Sequence, residues 1–125
     1  MKPIEFIVER TGTGYSAYAV DQEVYTAGQT LTELKANMVE ALNLHHEGAG
    51  HTYTEDELKV TLDLAQFFAF YKVINAAALA ARIGMPQSLL AQYISGAKKP
   101  SPKQTNRILE GVRSVGRELA TMDFA

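Results

Sequence analysis

Three histidines near the middle of the chain, His45, His46 and His51, have the side-chain chemistry to bind a metal ion. Neighbouring residues on a helix point about 100° apart, so His45 and His46 are poorly placed to share one ion. The chain has no cysteine to complete a zinc site, and no fourth ligand lies close to the histidines. A histidine near the C-terminal end of a helix is explained more simply by the helix dipole. The sequence therefore predicts no metal site and no cofactor.

Four acidic residues, Glu40, Glu47, Asp56 and Asp63, are candidates for a carboxylate cluster that would hold two metal ions for hydrolysis. The predicted elements do not place them on adjacent strands, as such a site requires, because Asp56 lies in a loop. The segment 11–14 is rich in glycine but lacks the lysine and the following helix of a phosphate-binding loop. The absence of cysteine also excludes a cysteine nucleophile. We therefore predict that the protein is not an enzyme.

Charge is distributed unevenly along the chain, although the formal net charge is only −2. Residues 1–71 carry four basic and eleven acidic groups, a net charge of −7, whereas residues 72–125 carry eight and three, a net charge of +5. An acidic half suits a basic protein partner, and a basic half suits the phosphate backbone of a nucleic acid. Charge alone leaves open the alternative that both halves simply have solvated faces.

Length and composition are those of a folded globular protein. The 125 residues are 46% apolar and 21% charged, enough for one ordinary domain or two small ones. The N-terminal segment carries charges through its apolar stretch, which argues against a signal peptide. No stretch reaches the roughly 18 apolar residues of a membrane span. We expect a soluble, cytoplasmic protein with no membrane partner.

Alternating apolar residues in the first half predict three short strands before a helix. Ile4, Phe6 and Val8 alternate with Glu5, Ile7 and Glu9, and Thr30 with Glu33 forms a capping box. The predicted elements are strands at 4–9, 15–20 and 24–27, a helix at 31–46 and a strand at 58–64. This βββαβ order predicts an α+β fold over residues 1–64, with one helix packed on a small sheet.

The segment from Tyr25 to Glu47 resembles the HicB antitoxin family. The shared features are an aromatic strand end, Gly28, the Thr30-x-x-Glu33 cap, Asn37 in mid-helix and the run from Glu40 to His45. The likeness covers about residues 2–64, with one departure: a proline-containing loop of many members is trimmed here to residues 21–23. The resemblance implies a truncated ribonuclease H-like fold. It also implies binding of a small basic HicA-like toxin that cleaves mRNA.

Capping residues and glycines in the second half predict a series of helices. Asn75 and Ser101 are caps, Pro86 fits a first turn, and Gly84 and Gly96 are stops. The predicted helices cover 66–71, 76–83, 87–95 and 103–121. They predict an all-α domain over residues 65–125.

The run from Ala78 to Gly96 resembles the helix-turn-helix of the phage-repressor family, called Cro/cI or XRE. The shared features are a small residue in the first helix, the turn glycine Gly84 and the closing Gly-Ala-Lys-Lys-Pro that begins at Gly96. The likeness spans about residues 74–120. Two departures are visible. A position that is often a phosphate-binding glutamine is Ala76, and the recognition helix carries no charge.

This second resemblance implies that residues 65–125 bind operator DNA. Glutamine bonds the adenine edge bidentately in the major groove, serine bonds donors or acceptors, and lysine or arginine contacts phosphates. The alternative for each of these residues is an ordinary solvated surface. The candidate DNA-binding residues are Gln87, Ser88, Gln92, Ser95, Lys98, Lys99, Lys103 and Arg107.

Together the two resemblances imply an antitoxin that neutralises its toxin through the acidic half and represses its own operon through the basic half. Such repressors bind DNA as dimers. The apolar face of the 103–121 helix and the aromatic segment 67–70 also exceed what a small helical unit buries, so we expect a homodimer or higher homo-oligomer. The alternative is a solitary helix-turn-helix transcription regulator whose N-terminal domain senses a ligand or only oligomerises. A neighbouring gene for a small basic protein with one prominent histidine favours the antitoxin.

Overall fold

A computed structural model describes residues 2–124 of the chain. Within these residues the chain divides into two compact units, one ending at Phe70 and the other beginning at Tyr71. The first unit holds a four-stranded mixed sheet with two α-helices, and the second holds three α-helices. This combination is consistent with the predicted α+β class.

The four strands of the first unit form one sheet in the order β3-β2-β1-β4. The strands are β1 (Ile4–Thr11), β2 (Gly14–Ala19), β3 (Tyr25–Gly28) and β4 (Leu58–Leu62). β1 pairs antiparallel with β2, and β2 pairs antiparallel with β3. β4 pairs in parallel with β1, because the chain crosses over through a helix between β3 and β4. β3 and β4 are therefore the two edges of the sheet.

The crossover helix α1 (Leu31–His45) begins at the predicted cap. Thr30 Oγ1 accepts a hydrogen bond from the backbone N–H of Glu33 at 3.1 Å. The Glu33 carboxylate accepts from the N–H of Gln29 at 3.3 Å, so the reciprocal half of the predicted capping box lies one residue earlier. α1 covers one face of the sheet. The core that they share consists of Phe6, Val8, Ala17, Ala19, Val24, Leu34, Met38 and Leu42.

Close packing of β2, β3 and the start of α1 requires glycine at two positions. A Cβ on Gly14 would lie 2.4 Å from the carbonyl oxygen of Gly28. A Cβ on Gly28 would lie 2.6 Å from the backbone nitrogen of Leu34. Because both neighbours are backbone atoms, neither position has room for a side chain.

The loop after α1, predicted only as a polar connection, contains a one-turn 3₁₀ helix over Glu55–Glu57. Asn43 of α1 exchanges two hydrogen bonds with the backbone of Tyr53, at 2.7 and 3.2 Å, and so ties the loop to the helix. His51 Nε2 lies 2.9 Å from a carboxylate oxygen of Glu57. This hydrogen bond is the main reason that the pKa of Glu57 lies below its ordinary value.

The end of the first unit differs from the sequence prediction. Alternation predicted a strand as far as residue 64, but β4 ends at Leu62, and Leu64 begins α2 (Leu64–Phe70). Asp63 Oδ1 accepts a hydrogen bond from the N–H of Gln66 at 3.0 Å and so caps this helix. The alternation was misleading because an apolar residue two positions after Leu62 also fits the first turn of a helix.

The side-chain amide of Gln66 continues the sheet where β4 stops. Its Oε1 accepts a hydrogen bond from the Arg10 N–H at 2.8 Å, and its Nε2 donates to the Arg10 carbonyl at 2.7 Å. These two bonds satisfy backbone groups of β1 that a longer β4 would have paired. α2 therefore belongs to the first unit, whereas the predicted boundary between residues 64 and 65 assigned it to the second domain.

The second unit consists of α3 (Ala76–Ile83), α4 (Gln87–Ser95) and α5 (Pro102–Thr121). These spans follow the predicted helices closely. Asn75 Oδ1 and Ser101 Oγ each accept a backbone N–H bond, at 3.0 and 3.2 Å, so the predicted caps of α3 and α5 are present. The local capping signals were therefore sufficient to locate these helices.

Two glycines in the left-handed region end α3 and α4. Gly84 has φ 70° and Gly96 has φ 81°, values that favour glycine over residues with a side chain. Pro86 is the N-cap residue of α4, not a residue of its first turn as the sequence predicted. α3 and α4 are thus joined by a tight turn.

α3 and α5 approach each other closely at Gly111, where a Cβ would lie 2.5 Å from Cγ2 of Ile83. The buried hydrophobic residues of this unit are Leu79, Ala80, Met85, Leu90, Tyr93 and Ile108. In the part of the chain that the structure describes, none of the helices has the length and apolar character needed to cross a membrane.

We expect Gln66→Ala to lower the free energy of unfolding by about 1–3 kcal/mol, because a part-buried N–H and carbonyl of Arg10 lose their partner. Urea unfolding of the full chain measures the change. Gln29→Ala is the matched control, since Gln29 is exposed and offers its backbone N–H to Glu33. Equal stability of the two variants would contradict the role assigned to Gln66.

Candidate nucleic-acid interface

α4 buries one side and exposes a continuous arc on the other. Leu90 and Tyr93 are only 1% and 6% exposed, so the tyrosine ring belongs to the core of the unit. At 100° per residue the exposed residues span about 140° of the helix surface. They are Gln87, Ser88, Ala91, Gln92 and Ser95. All five are uncharged, and the two amides carry the donors and acceptors that base edges require.

All eight predicted DNA-binding residues are exposed, but the hydroxyl group of Ser95 already forms hydrogen bonds with neighbouring backbone groups. Its hydroxyl donates to the carbonyl oxygen of Gln92 at 3.2 Å and accepts from the N–H of Ala97 at 3.3 Å. The Lys98 N–H donates to the same Gln92 carbonyl at 3.1 Å. Ser95 therefore helps to end α4, whereas Gln87, Ser88 and Gln92 present their side chains on the exposed arc.

The N-terminal end of α4 adds backbone donors that the sequence analysis did not consider. Pro86 offers no capping side chain, and its carbonyl accepts from Leu89 and Leu90 at 3.1 and 3.2 Å. The N–H groups of Gln87 and Ser88 therefore begin the helix without a capping side chain. The helix dipole favours an anion at such an end. The sequence signal is a proline at a position where Ser, Thr, Asp or Asn is usual.

Three exposed lysines follow the arc directly in the chain. Lys98 and Lys99 lie in the loop between α4 and α5, and Lys103 lies in the first turn of α5. A positive charge in a first turn is disfavoured by the helix dipole, and that turn of α5 contains no acidic residue. The position of Lys103 is therefore unfavourable for its own helix and suits an anion outside the protein.

Arg107 performs a structural task that the sequence analysis did not predict. Its Nη2 donates to the carbonyl oxygens of Ile83 and Gly84 at 2.8 and 3.0 Å, across the turn between α3 and α4. A cation at the C-terminal end of a helix is favoured by the dipole. Arg107 thus fixes the turn that orients α4, and this role is distinct from the predicted phosphate contact.

The other arginines of the second unit are paired with carboxylates. Arg82 of α3 bonds to Glu118 of α5. Arg117 and Arg113 bond to Glu110 at 2.7 and 3.2 Å, and these bonds, that of Arg117 first, hold the pKa of Glu110 below its ordinary value. Two carboxylates therefore offset most of the charge of these three arginines, and Lys98, Lys99 and Lys103 carry much of the net positive charge of the unit.

The histidines and carboxylates of the first unit are not gathered into a metal site. His46 Nε2 lies 2.5 Å from Gln22 Oε1, His51 contacts Glu57, and Asp63 caps α2. Across residues 2–124, no three histidines or carboxylates lie close enough together to hold a metal ion. The absence of enzymatic activity stays a prediction.

Comparisons with protein-family models, with curated proteins and with solved structures find no match for this chain.

We expect Arg107→Gln to lower the free energy of unfolding by about 1 kcal/mol, because the exposed Ile83 and Gly84 carbonyls lose a charged donor but regain water. Lys103→Gln, one turn earlier on α5, is the matched control and should leave stability unchanged or slightly higher. Thermal unfolding followed by circular dichroism measures both. If Arg107→Gln were as stable as the control, the proposal that Arg107 stabilises the turn between α3 and α4 would be wrong.

Proposed function

We propose that the second unit is a helix-turn-helix that binds operator DNA, with α4 as the recognition helix in the major groove. The observation that carries the proposal is the surface of α4 itself. An uncharged arc of amides and hydroxyls is followed directly by three exposed lysines, in a unit of net charge +5. Helices of this kind meet base edges with their N-terminal residues, while cations beside them contact phosphates.

Each residue of the surface has a distinct role in this proposal. Gln87 and Gln92 read bases from the tip and the flank of α4, and Ser88 lies between them. The N–H groups at the start of α4 bind a phosphate, as do Lys98, Lys99 and Lys103. Arg107 acts indirectly, because it holds the turn from which α4 starts.

Base reading and phosphate contact are distinguished by comparing specific with non-specific DNA. We expect Gln92→Ala to cost about 1–3 kcal/mol on operator DNA from upstream of the gene and little on scrambled DNA. Lys98→Ala and Lys99→Ala should weaken binding to both. Each should reduce the slope of log K against log salt by about 0.9, because one phosphate contact is lost. Fluorescence anisotropy over a salt series measures both effects.

Two matched controls accompany this experiment. Lys72→Ala removes an exposed lysine of the same unit that is distant in sequence from Lys98, Lys99 and Lys103. Gln29→Ala removes an exposed glutamine of the first unit. Neither should change binding. Equal losses for Gln92→Ala on both DNAs would exclude base reading. If neither Gln92→Ala nor the lysine variants had an effect, DNA binding through this surface would be wrong.

We propose further that the first unit is a HicB-like antitoxin domain, with a truncated ribonuclease H-like fold, that binds and neutralises a small basic HicA-like toxin. Electrostatics supports this: the unit has a net charge of −7, and seven of its eleven carboxylates are exposed. Complementary charge accelerates association and selects the sign of the partner.

The face of the sheet opposite α1 has the composition of a protein-binding surface. Strand alternation places Tyr18, Tyr25, Glu5 and Glu9 on this face, since their neighbours pack against α1. Tyr18 and Tyr25 are cross-strand partners, and Tyr25 is 74% exposed. Tyrosines are enriched in protein interfaces, where they often contribute much of the binding energy. Glu5 is already bonded to Thr61 at 2.8 Å and lies 4.0 Å from Lys59, so the exposed tyrosine pair is the part of this face that suits a protein partner.

A fragment of the chain that ends at Phe70 should co-purify with the toxin encoded by a neighbouring gene and relieve its growth arrest without binding DNA. In the full chain, Tyr25→Ala should weaken toxin binding about tenfold or more. Leu44→Ala, which removes an exposed apolar residue of α1, is the control. Rescue by the C-terminal half alone would contradict the assignment. Absence of a neighbouring toxin gene would favour the alternative of a solitary regulator.

A further inference from the structure

A small cavity lies between the start of α3 and the exposed arc of α4. It has a volume of about 300 Å³. None of its lining residues is charged, and only Gln87 and Ser95 contribute polar side chains to it. The apolar part of the lining consists of Ala76 and Ala77 of α3 and Leu90, Ala91 and Ile94 of α4.

The cavity opens along one side of the proposed DNA-binding surface. Gln87, Ala91 and Ser95 line it, and all three belong to the exposed arc. They are spaced four residues apart, so each is rotated by only about 40° from the one before and they form one row along α4. The Ser95 hydroxyl bonds to the Gln92 carbonyl and the Ala97 N–H. Gln87 therefore supplies the side-chain amide beside an otherwise apolar cavity.

We propose that this cavity binds the 5-methyl group of a thymine and makes operator recognition depend on that group. The proposal rests on the proposed function, because it requires α4 to lie in the major groove. The thymine methyl is the only alkyl group that a base edge presents there, since the other positions are hydrogen-bond donors and acceptors. Alanine, leucine and isoleucine side chains give a methyl group apolar contact and give donors and acceptors no partner.

Ala91 is the residue on which the thymine contact depends most directly. It lies in the middle of the row, it is exposed, and its short side chain leaves the cavity open. Gln87 precedes it by one turn, which is about 6 Å along the helix axis. Successive bases of one strand are about 3.4 Å apart, so the thymine should lie within about two base pairs of the base that Gln87 reads.

The start of α3 lines the cavity without filling it. Ala76 and Ala77 belong to its first turn, and their side chains end at Cβ. A glutamine in place of Ala76, as in many proteins that this segment resembles, would add polar atoms to the lining. The alanine at this position therefore keeps the cavity apolar next to Gln87.

The test replaces single thymines of operator DNA by deoxyuridine, which lacks only the methyl group. The full chain is titrated onto duplexes from upstream of the gene, each with one thymine replaced, and fluorescence anisotropy gives the dissociation constant. For the wild type, replacement of the thymine bound in the cavity should raise the dissociation constant about fourfold, the factor expected for one buried methyl-sized group. Replacement of thymines outside the contact should have no effect.

Ala91→Ser distinguishes the cavity from other causes of a thymine preference. Its hydroxyl would lose water beside the methyl group, so the difference between thymine and deoxyuridine should shrink. Serine is tolerated at this position because Ala91 is exposed. Ala120→Ser is the matched control: Ala120 is an exposed alanine of α5 outside the cavity lining, and this variant should keep the fourfold difference of the wild type.

The possible results separate this inference from operator binding itself. Specific binding that no deoxyuridine weakens would exclude the methyl contact and leave operator binding intact. A thymine preference that is the same in Ala91→Ser and Ala120→Ser would assign the preference to DNA shape or to another residue, and the role of the cavity would be wrong. If the wild type bound operator DNA no more tightly than scrambled DNA, operator recognition would be wrong, and the methyl contact with it.

Discussion

The close approach of α3 and α5 at Gly111 is the contact on which the geometry of the second unit depends. It brings the two helices near enough for Arg107, four residues earlier on α5, to reach the carbonyls that end α3. Those bonds fix the turn at Gly84, and the turn sets the direction in which α4 starts. The exposed arc of α4 is therefore positioned by the α3–α5 contact and one guanidinium, neither of which lies on the arc itself.

In the first unit, too, the residues that hold the helices and strands together are different from those exposed at the surface. α1 fills one face of the sheet with Leu34, Met38 and Leu42, and the opposite face keeps Tyr18 and Tyr25 exposed. Gln66 completes the ladder beside β1. In both units, a polar side chain from a distant part of the sequence binds backbone groups that the regular elements leave unpaired.

Much of the fold was predictable from the sequence, because its signals are local. Asn75, Ser101, Gly84 and Gly96 mark helix ends by their own chemistry, and the structure confirms the helices that they predict. These features depend on residues only a few positions apart.

The features that the sequence did not predict depend on pairs that are distant in the chain or on backbone groups. Gln66 and Arg10 are 56 residues apart, and Arg107 reaches carbonyls 23 and 24 residues away. No local pattern distinguishes such a glutamine or arginine from an exposed one. The local hydrogen bonds of Ser95 were not predictable for a related reason. Its hydroxyl bonds to backbone groups that are identifiable only once α4 has ended.

The second unit exposes two surfaces that interact differently with water, the polar arc of α4 and an apolar groove between α3 and α5. This difference explains why they lie on separate faces. The arc of α4 consists of amides and hydroxyls that bind water until a stronger partner displaces it, so it can stay exposed in a free protein. The groove between α3 and α5 is apolar and gains free energy whenever it is covered. If both lay on one face, covering the groove would also bury the polar arc and leave its donors unsatisfied. Because the two surfaces lie on separate faces, covering the groove leaves the hydrogen-bonding surface of α4 available.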